Sequence, residues 1–219
     1  MPFKTLEEKE IQRLNRIQRE RFDELVERFE PPLPEGVPER LSRIVAAAEI
    51  RNGEVVLDVG TGTGILVPLI QSYRPGRIYA CDLAGKMLKR LRKNYPGVET
   101  ILSDVRDLTL PDARIDVVFI NACYPNIVDK AGAFKNVARM MTPAGRLIIS
   151  HPLGKRFVDR LRRNSPFPFD DFPEKSEAEQ LFSPYRFRVE MLVDEPELYI
   201  LTLRRPSTVL RTSRPTRQQ

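Results

Sequence analysis

The chain has 219 residues, of which 41% are hydrophobic and 30% charged, and its formal net charge is +6. This length predicts one domain with a large core, and no stretch approaches the roughly 20 consecutive apolar residues of a membrane span. The charged opening Met1–Glu8 is not typical of a secretory signal, so we expect a cytoplasmic protein whose Cys81 and Cys123 remain reduced.

Two helices are predicted before the first strand, and they form a helical cap over residues 1–52. The first covers Thr5–Glu30, where apolar residues recur at helical spacing until Pro31 ends the pattern. The second covers Glu39–Ile50. Strict heptads do not persist in the first helix, so we expect it to pack on the core and not to form a dimer seam.

The most informative segment is Val56–Gly64, which reads V-L-D-V-G-T-G-T-G. It predicts a buried strand, a glycine turn and the start of a helix, which is where open α/β sheets hold nucleotides. Glycine lets the backbone turn sharply and lets a ligand approach where a Cβ would clash. A dinucleotide site would need its third glycine at the position of Ile65, so the spacing argues against that class.

Four more strands are predicted in alternation with helices, which is typical of a parallel sheet with right-handed crossovers. They end at Asp82, Asp104, Asn121 and Ser150. An acid at the end of the second strand commonly binds ribose, because a carboxylate can accept hydrogen bonds from both hydroxyls. Asp82 is the predicted residue for this role.

The pattern changes after Ser150. A helix over Leu153–Arg163, a loop rich in Pro and Phe over Asn164–Pro173 and a short helix over Glu174–Phe182 are predicted. Arg186–Val193 and Glu197–Arg204 then alternate as two strands. We expect these two strands to form a hairpin.

Together these motifs resemble the Rossmann-like (class I) S-adenosylmethionine-dependent methyltransferases of the small-molecule type. The D-x-G-x-G-x-G of Asp58–Gly64 resembles the first motif of that family, and Met140–Ser150 resembles its fifth strand with the preceding helix end. The resemblance implies an α/β, doubly wound, mostly parallel seven-stranded sheet with a terminal antiparallel hairpin and strand order 3-2-1-4-5-7-6. This core would cover residues 53–205.

The resemblance also implies S-adenosylmethionine as cofactor and a set of residues that bind it. In the family the glycine loop lies under the amino-acid end of the cofactor, and the acid after the third strand accepts from the adenine amino group. The expected cofactor-binding residues are Asp58, Gly60, Thr61, Gly62, Gly64, Asp82, Leu83, Met87, Asp104, Val105 and Asn121.

Two residues are candidates for catalytic or substrate-contacting roles. His151 is the sole histidine and follows the fifth strand, at the active edge of such sheets. Tyr124 lies in Asn121–Asn126, which resembles the N-P-P-Y loop of amine-methylating enzymes with Ala and Cys in place of both prolines. That departure argues against methylation of nucleic-acid bases or of glutamine side chains. Packing alone is the open alternative for both residues.

Several features leave two interpretations open. The basic cluster of residues 155–163 could bind an anionic substrate group or be a solvated helix face. Phe22 and Phe29 could line the pocket or only pack, and the loop of residues 164–173 could be a lid or a plain connector. No metal site is expected, since the region that holds Mg²⁺ in catechol-type enzymes offers Asp129 alone.

The end of the chain is strongly basic. Arg204–Gln219 contains five arginines and no acid, which leaves the rest nearly neutral. We expect residues 206–219 to form a disordered tail, either merely solvated or bound to nucleic acid or another acidic partner.

The function that these features favour is methyl transfer to a small, planar or partly apolar metabolite. One alternative is an RNA or protein methyltransferase that uses the basic tail. Another is a non-catalytic S-adenosylmethionine binder or scaffold.

Overall fold

A seven-stranded sheet organises the computed structural model, which describes residues 3–163 and 170–207. Its strands are β1 (Val55–Val59), β2 (Arg77–Asp82), β3 (Glu99–Leu102), β4 (Ile115–Asn121), β5 (Met141–His151), β6 (Arg188–Glu195) and β7 (Leu198–Arg204). The order across the sheet is β3-β2-β1-β4-β5-β7-β6. β1 to β5 run parallel, and β7 pairs antiparallel with β5 and β6. The predicted fold class, strand order and terminal hairpin are confirmed.

Helices cover both faces of this sheet. They are α1 (Glu8–Glu24), α2 (Val37–Ala46), α3 (Val67–Gln71), α4 (Gly85–Asn94), α5 (Lys130–Met140), α6 (Gly154–Arg162) and α7 (Lys175–Phe182). Alternate residues of each central strand point to opposite faces. In β1, Leu57 and Val59 belong to one apolar cluster and Val56 to the other. The central strands are therefore buried on both sides, as parallel strands require.

The prediction of one long helix over Thr5–Glu30 is wrong at both ends. α1 stops at Glu24, and Val26–Phe29 forms a separate 3-10 turn. The Thr63 hydroxyl donates to the carbonyl of Phe29 at 3.1 Å, which attaches this turn to the glycine loop. The helix thus ends seven residues before Pro31, with the backbone N–H of Leu25 donating to the carbonyl of Phe22.

Some predicted segments fall partly outside the described residues. These are residues 164–169 of the Pro- and Phe-rich loop and residues 208–219 of the basic tail. Among the helices of residues 3–163 and 170–207, none is long and apolar enough to cross a membrane.

Candidate functional site

The glycine turn after β1 has one closed and one open side. Gly60 and Gly62 have φ of +64° and +57°, a region that L side chains rarely adopt. A Cβ on Gly60 would lie 2.2 Å from Cys123 Sγ, so this glycine allows close packing against the loop after β4. A Cβ on Gly62 would meet nothing within 4 Å in the described part of the chain. The space beside Gly62 is therefore available to a ligand.

Two buried carboxylates hold the turn in place. Asp58 Oδ2 accepts from the Thr61 hydroxyl at 2.7 Å. Asp82 accepts at 2.8 Å from the backbone N–H of Gly62 with one oxygen and from that of Ala84 with the other. Burial raises the pKa of Asp82, and it raises the pKa of Asp58 to about 7 although the Thr61 hydroxyl opposes it. The acid predicted to bind ribose thus also orients the glycine loop.

A polar cavity of about 680 Å³ lies beside this network, between α1 and the loop after β3. Leu83 and Asp104, both predicted cofactor residues, line it. Asp104 accepts from Asn15 Nδ2 at 2.6 Å and from the backbone N–H of Arg106 at 3.0 Å. Burial raises the pKa of Asp104, and these hydrogen bonds oppose the rise. The arrangement suits the end of a ligand that offers an amino group.

The other predicted cofactor residues are engaged in packing or hydrogen bonds within the chain. A Cβ on Gly64 would lie 3.0 Å from a side-chain carbon of α4, so this glycine permits close helix packing. Met87 and Val105 are buried in apolar clusters. Asn121 Oδ1 accepts from the Ser150 hydroxyl at 3.0 Å. Direct contact of these four residues with a cofactor stays a prediction.

The structure places His151 in an apolar setting that favours a neutral ring. The side chain is 6% exposed, its Nδ1 accepts from the backbone N–H of Leu153 at 3.1 Å, and the rings of Phe157 and Phe172 lie beside it. Burial lowers the pKa of His151 to about 4. A general base needs a free nitrogen lone pair, so this geometry favours packing over the catalytic role, which stays a prediction.

The lowered pKa of His151 has a consequence for stability. Because the imidazole is neutral in the fold but titrates near 6.5 when unfolded, its contribution is complete above pH 6.5 and is lost as the pH falls through about 4. We expect a loss of up to about 3 kcal/mol at pH 4. His151→Asn keeps a hydrogen-bond acceptor for the backbone N–H of Leu153. Urea unfolding measured from pH 8 to pH 4 should show that the free energy of unfolding falls less with pH in this variant than in wild type. An equal fall in both proteins would contradict the lowered pKa of His151.

Tyr124 is also enclosed. It is 2% exposed, its ring stacks on Phe172 and tilts against Phe134, and the Lys130 ammonium lies 4.9 Å from the ring centroid. Burial raises the pKa of Tyr124, so the phenol keeps its proton. The surroundings support packing and a cation–π contact. The predicted substrate contact stays untested.

The basic cluster of residues 155–163 is partly neutralised within the chain. Lys155 Nζ lies 2.6 Å from Glu174 and 2.8 Å from Asp194, and Arg162 lies 2.6 Å from Asp171. These pairs favour the interpretation of a solvated helix face. Phe22 and Phe29 pack edge to face at 6.1 Å. Phe29 is still 39% exposed, so a role of the two rings in lining the pocket stays a prediction.

Side chains that could bind a metal ion are dispersed in the described chain. In residues 3–163 and 170–207, no group of three His, Cys, Asp or Glu side chains is placed to hold a metal ion. Asp129 caps α5 by accepting from the backbone N–H of Gly132 at 2.9 Å. Cys81 and Cys123 are free thiols.

Sequence reasoning missed Asn15, which links α1 to the predicted adenine acceptor. The sequence did contain an indication of this role. The buried face of α1 consists of Ile11, Leu14, Asn15 and Gln18. Two amides interrupt an otherwise apolar stripe, and buried amides need hydrogen-bond partners. Cys123 against Gly60 was also missed, and no sequence pattern predicts that contact.

We expect Asn15→Leu to weaken S-adenosylmethionine binding about tenfold, because a hydrogen bond to a charged group contributes about 1.5–3 kcal/mol. The loss should act through Asp104, whose carboxylate Asn15 orients. Calorimetric titration of S-adenosylmethionine into Asn15→Leu, Asp104→Ala and the double variant gives the coupling energy between the two residues in cofactor binding. The double variant should bind no worse than Asp104→Ala alone. Tighter binding by Asn15→Leu would show instead that Asn15 competes with the ligand.

Comparison with known proteins agrees with this geometry. A family profile described as a methyltransferase domain matches residues 57–149, from β1 to β5. A ubiquinone/menaquinone biosynthesis C-methyltransferase of Vibrio campbellii is 28% identical over 157 residues, which are 67% of this chain and 60% of that one. The alignments with curated relatives span 34% to 60% of those proteins' lengths.

Solved structures share the fold at low sequence identity. A Haloferax volcanii methyltransferase, solved in complex with the Trm112 methyltransferase activator, has a TM-score of 0.72 at 16% identity and covers 86% of this chain and 97% of its own. Magnesium protoporphyrin IX methyltransferase of Synechocystis, with bound S-adenosylhomocysteine, has a TM-score of 0.65 at 17% identity. The match covers 88% of this chain and 99% of that one.

Proposed function

Because the chain belongs to the Rossmann-like (class I) S-adenosylmethionine-dependent methyltransferase family, we propose that it methylates a small, planar or partly apolar metabolite. The observation that carries the proposal is the glycine turn. Asp58 and Asp82 hold it, and the space beside Gly62 is open. The donor set therefore fits a cofactor with a ribose and an amino-acid end.

In this proposal the chain's own residues bind and orient S-adenosylmethionine. Asp82 accepts from the ribose hydroxyls while it keeps the Gly62 N–H in place, and Asp104 accepts from the adenine amino group. The sulfonium of S-adenosylmethionine activates its own methyl group, so alignment and exclusion of water are the main tasks of the protein. Buried, neutral His151 and Tyr124 are consistent with a reaction that needs no general base.

Support for a small acceptor comes from the relative that acts in ubiquinone/menaquinone biosynthesis and from the protoporphyrin methyltransferase fold. The rival proposal is an RNA or protein acceptor. It rests on the arginine-rich tail, of which residues 208–219 lie outside the described chain. The predicted cytoplasmic location likewise stays a prediction.

Methyl transfer from labelled S-adenosylmethionine to whole-cell extract, separated into metabolite, RNA and protein fractions, tests the proposal. We expect label in the metabolite fraction, and mass spectrometry of that product identifies the acceptor. Label in RNA that is lost after truncation at Arg205 and falls steeply with salt would favour the rival. Tight cofactor binding without any labelled fraction would indicate a non-catalytic binder.

A further inference from the structure

The last residue pair of β4 and β5 is joined by two hydrogen bonds. Asn121 lies opposite Ser150 in the parallel register, and the Ser150 hydroxyl donates to Asn121 Oδ1 at 3.0 Å. The backbone N–H of Ala122 donates to the carbonyl of Ser150 at 2.7 Å. Ser150 is 0% exposed, so its hydroxyl is sealed from water. The pair is therefore a fixed feature of this edge of the sheet.

The residue that follows Asn121 has an unusual backbone conformation. Ala122 has φ of +54°, in the left-handed region that is unfavourable for an L residue with a Cβ. This conformation turns the chain out of β4 directly after Asn121, while the Ala122 N–H keeps its bond to Ser150. Backbone strain of this kind persists only where surrounding contacts hold it, and it is frequent at ligand sites. The strain points to a role for the end of β4 beyond packing.

The Asn121 side chain points to the face of the sheet that carries Gly62. Cys81 and Ile120, which precede Asp82 and Asn121, belong to the same apolar cluster. Because side chains alternate along a strand, Asp82 and Asn121 both point to the opposite face. The Asp82 carboxylate accepts from the Gly62 N–H on that face. Asn121 therefore shares a face with the turn that is proposed to hold the cofactor.

Ser150 determines which end of the Asn121 amide is free. Oδ1 is engaged by the hydroxyl, whereas Nδ2 keeps accessible surface and has no hydrogen-bond partner among residues 3–163 and 170–207. The amide nitrogen only donates hydrogen bonds. Without the bond to Ser150, both ends of the amide would be free to face a ligand. The free end suits a ligand group that accepts hydrogen bonds, above all a carboxylate.

The order of the strands indicates which ligand group reaches Asn121. Four successive strands, β3-β2-β1-β4, end at or directly before Asp104, Asp82, Gly60 and Asn121. Neighbouring strands lie about 4.8 Å apart, so this row extends over about 14 Å. The proposed function places the adenine at Asp104 and the ribose at Asp82. The amino-acid end of the cofactor, which carries its only carboxylate, then lies toward Asn121.

We propose that Ser150 is a positioning residue, which holds the Asn121 amide so that Nδ2 donates to the carboxylate of S-adenosylmethionine. The inference rests on the proposed function. In it, Asn121 contacts the cofactor and Ser150 acts only through Asn121. The pair makes the site selective for a cofactor that carries a carboxylate.

The test compares S-adenosylmethionine with decarboxylated S-adenosylmethionine, which keeps the sulfonium and the amino group. Calorimetry gives the Kd of both ligands for wild type, Ser150→Ala and Asn121→Asp, and circular dichroism shows whether each variant is folded. Thr202→Val is the matched control for Ser150→Ala. Thr202 is a 4% exposed strand residue whose buried hydroxyl has no hydrogen-bond partner in the described part of the chain.

We expect Ser150→Ala to bind S-adenosylmethionine about tenfold more weakly than wild type and the decarboxylated ligand within about twofold, because only the carboxylate loses its donor. Thr202→Val should bind both ligands as wild type does. In Asn121→Asp the new carboxylate still accepts from Ser150 but repels the carboxylate of the ligand. This variant should bind S-adenosylmethionine at least about 100-fold more weakly and should prefer the decarboxylated ligand.

Equal losses for the two ligands in Ser150→Ala would show a general disturbance of the site and overturn the assignment. Unchanged S-adenosylmethionine affinity in Ser150→Ala or in Asn121→Asp would overturn it as well. In these cases wild type still binds S-adenosylmethionine, so the proposed function stands. If wild type binds neither ligand, the proposed function is wrong and this inference is wrong with it.

Discussion

Gly60→Ala is expected to lower the free energy of unfolding by about 2–5 kcal/mol, the largest stability loss of any single methyl addition in the glycine turn. Left-handed backbone costs an L residue about 1–2 kcal/mol, and forcing the new methyl against Cys123 adds about 1–3 kcal/mol. Gly62→Ala has the same backbone strain without a clash, so it should cost only about 1–2 kcal/mol. Urea unfolding of the two variants gives the comparison.

The contact with Cys123 can be isolated by a second substitution. Cys123→Ala removes the sulfur that the new methyl would meet, so Gly60→Ala should cost less in the Cys123→Ala background than in wild type. Equal losses for Gly60→Ala and Gly62→Ala, or equal costs of Gly60→Ala in both backgrounds, would contradict the packing of Gly60 on Cys123.

Asp82→Ala is expected to weaken S-adenosylmethionine binding at least about 100-fold. Two hydrogen bonds from the ribose to a charged acceptor would be lost, and each contributes about 1.5–3 kcal/mol. The structure adds a second effect, because the backbone N–H groups of Gly62 and Ala84 lose their acceptor. We therefore also expect a stability loss of about 1–3 kcal/mol, still in a folded chain.

Asp112→Ala is the matched control for Asp82→Ala, since Asp112 is exposed, pairs with the Arg139 side chain and does not line the cavity beside the glycine turn. Calorimetry should give wild-type cofactor affinity for the control. Wild-type affinity in Asp82→Ala would show that the ribose assignment is wrong. An unchanged free energy of unfolding in Asp82→Ala would show that the hydrogen bonds from the turn to Asp82 contribute little to stability.

The sequence predicted the sheet well because its signals are local. Each parallel strand ends at, or directly before, a polar residue or glycine at one edge, so the strand pattern by itself places Gly60, Asp82 and Asp104 near one another. The end of α1 at Glu24 could not be predicted, because no proline or glycine marks it. The turn that follows it is bound to the glycine loop by the hydrogen bond from Thr63 to Phe29, a contact between residues far apart in the chain.

Only part of the candidate site could be predicted, because only some of its signals are local. The acids at the strand ends follow from the sequence motif, whereas the side chains that hydrogen-bond to them belong to other helices and loops. The amides of Asn15 and Gln18 interrupt the apolar stripe of α1, but their spacing does not show which acid or cavity they face. Buried side chains such as His151 looked functional by position, and only the packing around the ring shows why its pKa is low.

Direct titration of S-adenosylmethionine into wild type and Gly62→Ala tests whether the glycine turn holds this cofactor. We expect one site per chain in wild type and at least about tenfold weaker binding in Gly62→Ala, whose new methyl fills the open space beside the turn. Circular dichroism should show that the variant stays folded. No binding by wild type, or equal affinity in a folded Gly62→Ala, would show that the turn does not hold the cofactor.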